Sequence, residues 1–207
     1  MRRVLALAIV GALVAAAAGS AAAPNLRRIV LSPAQVGAGY KMSVIPGGNL
    51  VQGQVTLDLC GVGFSSERLR IARLQVEYTQ PRGPLALSNE VVRYRPGGAP
   101  QALREVTHAA EHCPRGPVGT PVPGVSATYR VTKISHPRLL PGYLAVRVHL
   151  TAEGRGKRLV LDTVGVYQVK GDVLSGVYTN GGATMATQLK VALHAAEESA
   201  QNLRRPA

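Results

Sequence analysis

The strongest structural signal is a run of alternating side chains in the second half of the chain. Between residues 144 and 150 every second residue is Leu or Val, and Ala, Arg and His lie between them. A period of two places the apolar side chains on one face of a β-strand. Two more apolar segments follow at residues 159–169 and 173–178, after glycine-containing turns. The pattern predicts a three-stranded antiparallel meander, with residues 159–169 near the middle of a covered sheet.

The rest of the chain adds strands and helices to this meander. Alternation predicts further strands at residues 55–59, 72–78, 85–94 and 127–134. Apolar residues recur at helical spacing over residues 99–113 and 183–203. Strands followed by a helix, twice over, indicate an α+β fold. We expect an antiparallel sheet of about six or seven strands with two packed helices.

The first residues have the layout of a secretory signal peptide. Two arginines precede an unbroken apolar run at residues 4–18, and small residues follow. The run is about 15 residues long, whereas a helix that spans a bilayer needs roughly 20. We expect cleavage after Ala22 and a secreted chain without a transmembrane span. An uncleaved anchor is the alternative.

Residues 23–207 are predicted to form a single secreted α+β domain. Residues 114–124 are rich in proline and glycine and are predicted to be a loop or linker. A linker there would divide two domains, but neither half is large enough to favour that division. Residues 23–30 are predicted to be a tether, and residues 31–37 a single helical turn.

The chain has two cysteines, Cys60 and Cys113. In an oxidising compartment an even pair most simply forms a disulfide. The bond would close a loop of about fifty residues and contribute ~4 kcal/mol by the chain-entropy argument. Two free buried thiols and a redox pair are the alternatives, and the lack of C-x-x-C spacing disfavours the redox pair.

Motifs typical of catalysis are present only in part. His108, Glu111 and His112 spell H-x-x-E-H, the order found in inverted zinc peptidases. The predicted helix places them on its polar side, so a solvated helix face is the preferred interpretation. Asp58 and Asp162 lie on predicted strands, where pairing with arginine explains them better than catalysis. We predict no catalytic residue, no metal site and no cofactor.

Basic residues are concentrated between residues 130 and 158, which hold seven Lys or Arg and one acid. Arg147 and His149 share the polar face of one predicted strand, and a neighbouring strand would bring Arg130 beside them. We predict that these three residues bind an anionic envelope polymer, a lipid headgroup or a small ligand. Nucleic acid is disfavoured because the chain is exported and has few aromatic residues for stacking. The alternative is that an arginine-rich, GC-rich bacterial genome scatters positive charge without function.

Four short segments carry a resemblance to a known family. They are LSPAQVG at residues 31–37, LCG at 59–61, SNEVVRY at 88–94 and KGD at 170–172. Together they resemble the secreted sensor-type domains of actinobacteria, which include the extracellular domains of some receptor kinases and small exported lipoproteins. The resemblance implies a ligand-sensing or binding role without catalysis. The chain differs in having two cysteines, where the kinase domains usually carry two disulfides.

These observations predict an exported, non-catalytic binding or sensor-type domain of the bacterial cell envelope. Its ligand is expected to be small or anionic, and any pocket to lie between the sheet and a helix. Two alternatives stay open: a small secreted hydrolase, and a structural protein that acts through envelope interactions.

Overall fold

The computed structural model describes residues 25–205, except residues 82, 84 and 121. The predicted signal peptide at residues 1–22 lies outside the described residues. The strands, in chain order, are β1 (Lys41–Val44), β2 (Arg70–Thr79), β3 (Leu85–Tyr94), β4 (Val118–Gly119), β5 (Val125–Lys133), β6 (Leu144–Gly154), β7 (Lys157–Lys170) and β8 (Val173–Gly181). The helices are α1 (Leu26–Ile29), α2 (Pro33–Val36), α3 (Gly98–Glu111) and α4 (Met185–Arg204), and a 3₁₀ helix spans Ser65–Leu69.

The described strands form one antiparallel sheet in the order β1-β2-β3-β8-β7-β6-β5-β4. The predicted α+β class, the antiparallel sheet and the meander of β6, β7 and β8 are confirmed. The sheet has eight strands, more than the six or seven that the sequence predicted. The two additional strands are β1, whose four residues are all exposed, and β4, which has only two residues.

Helices cover both faces of the sheet. On one face, which we call the α4 face, Leu74, Val91 and Val177 pack with the buried alanines of α4. On the other, the α3 face, Val92 and Leu174 pack with α3. The two long helices lie where the sequence predicted them, and each closes a separate hydrophobic core.

The predicted tether contains a helical turn. Asn25 caps α1 by accepting a hydrogen bond from the Arg27 N–H (3.0 Å). The Asn202 side chain of α4 donates to the Ile29 carbonyl (3.1 Å). Residues 25–30 are therefore fixed to the α4 face, and the tether prediction is wrong for them.

Residues 55–59 do not form the predicted strand. The Thr56 and Leu57 N–H groups donate to the Glu67 carboxylate (3.0 and 3.2 Å) and not to a neighbouring strand. Leu57 and Leu59 are buried in the core of the α3 face. The alternation that predicted a strand thus reflects burial against the sheet without strand pairing.

The first half of β7 also differs from the prediction. Leu159, Val160 and Leu161 are 54 %, 47 % and 39 % exposed. The sequence predicted a covered strand because these residues are apolar on both faces. The structure leaves them beyond the part of the sheet that the helices cover.

A disulfide joins Cys60 to Cys113, whose Cα atoms are 5.4 Å apart. The predicted disulfide is confirmed. It links the chain just after residues 55–59 to the chain just after α3, so it ties two covering elements of the α3 face together.

Candidate functional site: a cavity where the sheet forks

A gap opens in the sheet where β7 and β8 part. Their pairing ends at Gly165 and Tyr178, whereas β8 stays paired with β3 as far as Gly181. One hydrogen bond bridges the start of the gap, from the Val164 N–H to the Thr179 hydroxyl oxygen (2.9 Å). The sheet therefore forks, and its two branches leave space between them.

A cavity of about 430 Å³ occupies this fork. Residues 55–59 form part of its wall, so it lies between the sheet and an irregular segment, not between the sheet and a helix as predicted. Its apolar lining includes Val55, Val146, Val148, Leu150 and Leu161. Its polar lining includes Thr56, Asp58, Gln75, Ser88, Glu90, Tyr129, Thr163, Tyr167 and Tyr178.

A buried ion pair underlies the polar part of the cavity. Arg73 on β2 donates from Nε to the Glu90 carboxylate on β3, and each side chain is 2 % exposed. Thr56 donates to the same carboxylate oxygen (2.9 Å), and Arg73 also donates to the Gly47 carbonyl (3.0 Å). Burial raises the pKa of Glu90 to about 7, although the charge of Arg73 and the two hydrogen bonds act to lower it. Glu90 is therefore a carboxyl that titrates near neutral pH.

Residues 54–59, which we call the covering segment, are attached to the sheet by the side chains of Glu67 and Arg70 at the start of β2. Besides accepting from Thr56 and Leu57, Glu67 forms an ion pair with Arg70 (3.2 Å). Arg70 donates in turn to the Gln54 carbonyl (2.6 Å) and the Thr56 hydroxyl (3.0 Å). Glu67 and Arg70 thus hold the first part of the covering segment, at residues 54–57. The disulfide at Cys60 holds the segment at its other end.

Two tyrosines lie edge to face in the floor of the cavity. The ring centroids of Tyr167 and Tyr178 are 5.5 Å apart. The Tyr178 ring lies over Gly176, where a Cβ atom would collide with the phenol. The hydroxyls of Tyr178 and Tyr94 are buried and have no hydrogen-bond partner among the described residues. Burial raises the pKa of Tyr178 well above its ordinary value, so the phenol remains a neutral potential donor.

The structure places the predicted binding residues Arg130, Arg147 and His149 on the α4 face, away from this cavity. Arg130 and His149 are directly opposite each other in the β5–β6 register. Asp162 on β7 lies 3.5 Å from Arg147 and 3.2 Å from His149. The hydrogen bond from His149 lowers the pKa of Asp162. The three basic residues are thus brought together, with one carboxylate among them.

The H-x-x-E-H motif lies on the exposed side of α3. The His108 and His112 rings stack with centroids 4.1 Å apart, and Glu111 forms an ion pair with Lys133 (2.5 Å). Over the described part of the chain, no three His, Cys, Asp or Glu side chains are grouped so that they could hold a metal ion.

The predicted pairing of acids with arginine is correct for Asp162 but misses the buried pair. Asp58 lines the cavity, whereas the deeply buried acid is Glu90. The sequence did carry a signal: Ser88, Asn89 and Glu90 are three consecutive polar residues between the apolar residues Leu87 and Val91 of the same strand. Polar residues at buried strand positions need partners, so this triplet could have located the site.

Comparison with known proteins shows the fold. No protein-family model matches the sequence, and no curated protein is significantly similar to it. The structure is similar to the extracellular domain of PknH from Mycobacterium tuberculosis, with a TM-score of 0.51, 12 % identity, and coverage of 84 % of this chain and 94 % of that one. An uncharacterized protein from Mycobacterium smegmatis aligns with a TM-score of 0.39 at 12 % identity, over 82 % of this chain and 97 % of that one.

The likeness to the PknH domain confirms the predicted resemblance to extracellular domains at the level of the fold. Two further observations bear on where the protein acts. The Cys60–Cys113 disulfide fits an extracytoplasmic location. Among the described residues, no helix has the length and apolar character that crossing a membrane requires.

Proposed function

We propose that this protein is an exported, non-catalytic binding domain of the cell envelope, and that it holds a small ligand in the cavity at the fork of the sheet. The observation that carries the proposal is the cavity itself, which combines an apolar wall with buried polar groups. Pockets for small molecules have this composition, because apolar contact supplies affinity and a few polar groups fix orientation. Tyr178 lines the cavity, and its buried hydroxyl, which has no partner among the described residues, would turn to the ligand as one such group.

The lining favours a ligand with a neutral or cationic polar group. Glu90 and Asp58 are its two acids, and no basic side chain is among its described lining residues. Arg73 lies behind Glu90 and is already bonded to it. Val55 and Leu161 are substantially exposed, so an apolar portion of the ligand would lie against them.

Arg130, Arg147 and His149 remain our proposal for contact with an anion on the α4 face. Asp162 neutralises part of their charge, so binding there should be weak and sensitive to salt. Arg147→Glu should reduce binding to inorganic phosphate or to anionic vesicles, and Lys190→Glu on the exposed side of α4 is the matched charge reversal. Equal binding by both variants would remove these residues from the proposal.

The cavity proposal is tested by NMR titration of the purified protein. The probes are choline, a short alkyl glucoside and inorganic phosphate. We expect choline or the glucoside to shift the resonances of Tyr129, Leu161 and Tyr178, and phosphate to leave them unchanged. Cavity resonances that no neutral or cationic probe moves would contradict the proposal.

Two substitutions then locate the binding groups. Tyr178→Phe should weaken the binding detected, whereas Tyr40→Phe, which changes a tyrosine packed on the α4 face, should not. Glu90→Gln should weaken binding of a cationic probe more than that of a neutral one, and Glu153→Gln on the exposed β6–β7 hairpin is its control.

The second candidate is a small hydrolase, which one observation favours. The cavity contains two carboxyl groups, and the pKa of one of them, Glu90, is raised to about 7 by burial. General acids are often tuned in this way. Against this role, the Glu90 carboxylate already accepts hydrogen bonds from Arg73 and Thr56. Turnover of chromogenic glycosides or esters that Glu90→Gln abolishes would establish the hydrolase instead.

A further inference from the structure

The first half of β7 is an open strand edge that carries apolar side chains. Residues 157–161 are exposed at every position, although Leu159, Val160 and Leu161 are apolar. Among the described strands, β6 is the one that pairs with this segment, because the pairing with β8 begins only at Gly165. Exposed apolar edges of this kind are templates for the addition of another strand.

The backbone groups that face the open side can be assigned. The Val164 N–H points across the gap, because it donates to the Thr179 hydroxyl oxygen. In a β-strand, successive residues direct their backbone groups to opposite sides. Arg158, Val160 and Asp162 therefore present their N–H and C=O groups to the open edge.

We propose that a second copy of this chain pairs with this edge through its own β7, antiparallel and about a two-fold axis at Val160. In this register Val160 faces Val160 of the partner subunit. Leu159 faces Leu161 of the partner subunit, and Arg158 faces Asp162 of the partner subunit. The backbone groups of Arg158, Val160 and Asp162 then pair across the axis.

The sequence of the edge is complementary to itself, and this decides the occupant. Arg158, Val160 and Asp162 lie on one face of the strand and Leu159 and Leu161 on the other, so each predicted pair lies on a common face. Opposite charges and apolar residues directly opposite each other stabilise an antiparallel pair. A shift of the register by two residues in either direction separates Arg158 from the partner's Asp162. Within one chain Arg158 lies 3.3 Å from Glu153 and Asp162 lies 3.5 Å from Arg147, and these exposed pairs would be exchanged for the pairs across the axis. The charges then select one register and one symmetric partner.

The proposed interface does not depend on the ligand of the cavity. Leu161 belongs both to the edge and to the cavity wall, so the second copy would border the cavity mouth. The dimer can nevertheless form with an empty cavity, and the two proposals fail separately.

The test is sedimentation of the purified protein at low ionic strength over a range of concentrations. We expect a monomer–dimer equilibrium. In a symmetric dimer, Arg158→Asp places two negative charges opposite each other at each of two positions. Asp162→Arg places two positive charges opposite each other at the same positions. Each variant alone should raise the dissociation constant of the dimer by about tenfold or more. Lys190→Asp, a matched charge reversal on α4, should leave it unchanged.

An equimolar mixture of Arg158→Asp and Asp162→Arg should dimerise again, because both ionic pairs of the mixed dimer are attractive. A wild-type protein that stays monomeric up to several hundred micromolar would overturn the proposal. So would a mixture that stays monomeric while both variants keep the wild-type circular dichroism spectrum. If Asp162→Arg does not fold, Val160→Lys tests the same interface, because it places two ammonium groups beside the two-fold axis. Dimerisation that Val160→Lys leaves unchanged would also refute the interface.

Discussion

The two faces of the sheet differ in how their buried polar groups are satisfied. On the α4 face, Asn89 donates to Ser175 and to the Gly176 carbonyl (3.0 and 2.9 Å). The Ser175 and Ser199 hydroxyls bond to each other (2.8 Å), and Gln168 donates to the Ala196 carbonyl (2.8 Å). These groups form a paired network between the sheet and a helix packed through alanines.

The α3 face has a buried charge pair and two phenols whose hydroxyls have no hydrogen-bond partner in the part of the chain that the structure describes. Its cover over the cavity is an irregular segment held by Glu67, Arg70 and a disulfide. Each face thus keeps a buried polar atom without a partner among the described residues, Arg93 Nε on the α4 face and the two phenol oxygens on the α3 face. Of these three residues, Tyr178 is the one that lines the cavity. Unsatisfied groups of this kind are often found where a protein binds something.

Breaking the charge pair of the α3 face should destabilise the protein more than any other change considered below. Arg73→Met leaves Glu90 buried without its cation and should lower the free energy of unfolding by about 3–5 kcal/mol at pH 8. The double variant Arg73→Met/Glu90→Leu should recover most of this loss, because no buried charge remains. Urea denaturation of the single and double variants measures both values. A double variant as unstable as the single one would show that packing, and not charge, is responsible.

The next effect comes from the α4 face. Asn89→Ala removes three hydrogen bonds, including the one that the Leu31 N–H donates to the side-chain Oδ1 of Asn89 (3.0 Å). The loss should be about 3 kcal/mol by urea denaturation. Ser88→Ala, on the α3 face, removes one hydrogen bond from Gln75 (3.1 Å) and should cost about 1 kcal/mol or less. Equal losses at the two positions would contradict the difference between the faces.

The pH dependence of stability isolates Glu90. Its pKa of about 7 in the folded chain lies above the ordinary value of 4.5, so the folded state binds the proton more tightly. The stabilisation from this group is therefore complete below pH 4.5 and is lost as the pH rises to about 7. Glu90→Gln should flatten the stability profile across this window, whereas Glu153→Gln should not. If Glu90→Gln leaves the stability profile unchanged, Glu90 is ionised in the folded chain across this whole pH window.

The smallest effect is expected from the unpaired phenol. Tyr178→Phe should change the free energy of unfolding by no more than about 0.5 kcal/mol, because its hydroxyl makes no hydrogen bond among the described residues. Tyr78→Phe is the matched change on the α4 face, where the Tyr78 hydroxyl donates to the Leu31 carbonyl. It should cost about 1 kcal/mol. Thermal or urea denaturation that ranks the two variants in the opposite order would refute the distinction.

The sequence predicted those elements whose burial has a regular period. β2, β6, α3 and α4 each bury one face against a core, so their apolar residues recur at the spacing of a strand or a helix. β1 was missed because an exposed edge strand has no such period. Residues 55–59 have the period of a strand, yet the carboxylate of Glu67 takes the place of a neighbouring strand. A side-chain partner eleven residues from Thr56 leaves no local pattern.

The candidate site was harder to predict than the fold. Arg73 and Glu90 are 17 residues apart, and only the β2–β3 register brings them together. The fork that creates the cavity depends on where the pairing of β7 and β8 ends, which is at Gly165. A single glycine within a strand marks an irregularity there, but it does not show that two strands part. The basic residues were prominent in the sequence because they are close together along the chain.

The disulfide has a consequence for when the cavity is complete. The chain contains two cysteines, so Cys60–Cys113 is the one disulfide it can form within itself. Reduction removes the covalent tie at Cys60, and the cover is then held by Glu67, Arg70 and the burial of Leu57 and Leu59. A chain synthesised in a reducing compartment therefore acquires the covalent tie of its cover only when it reaches an oxidising one.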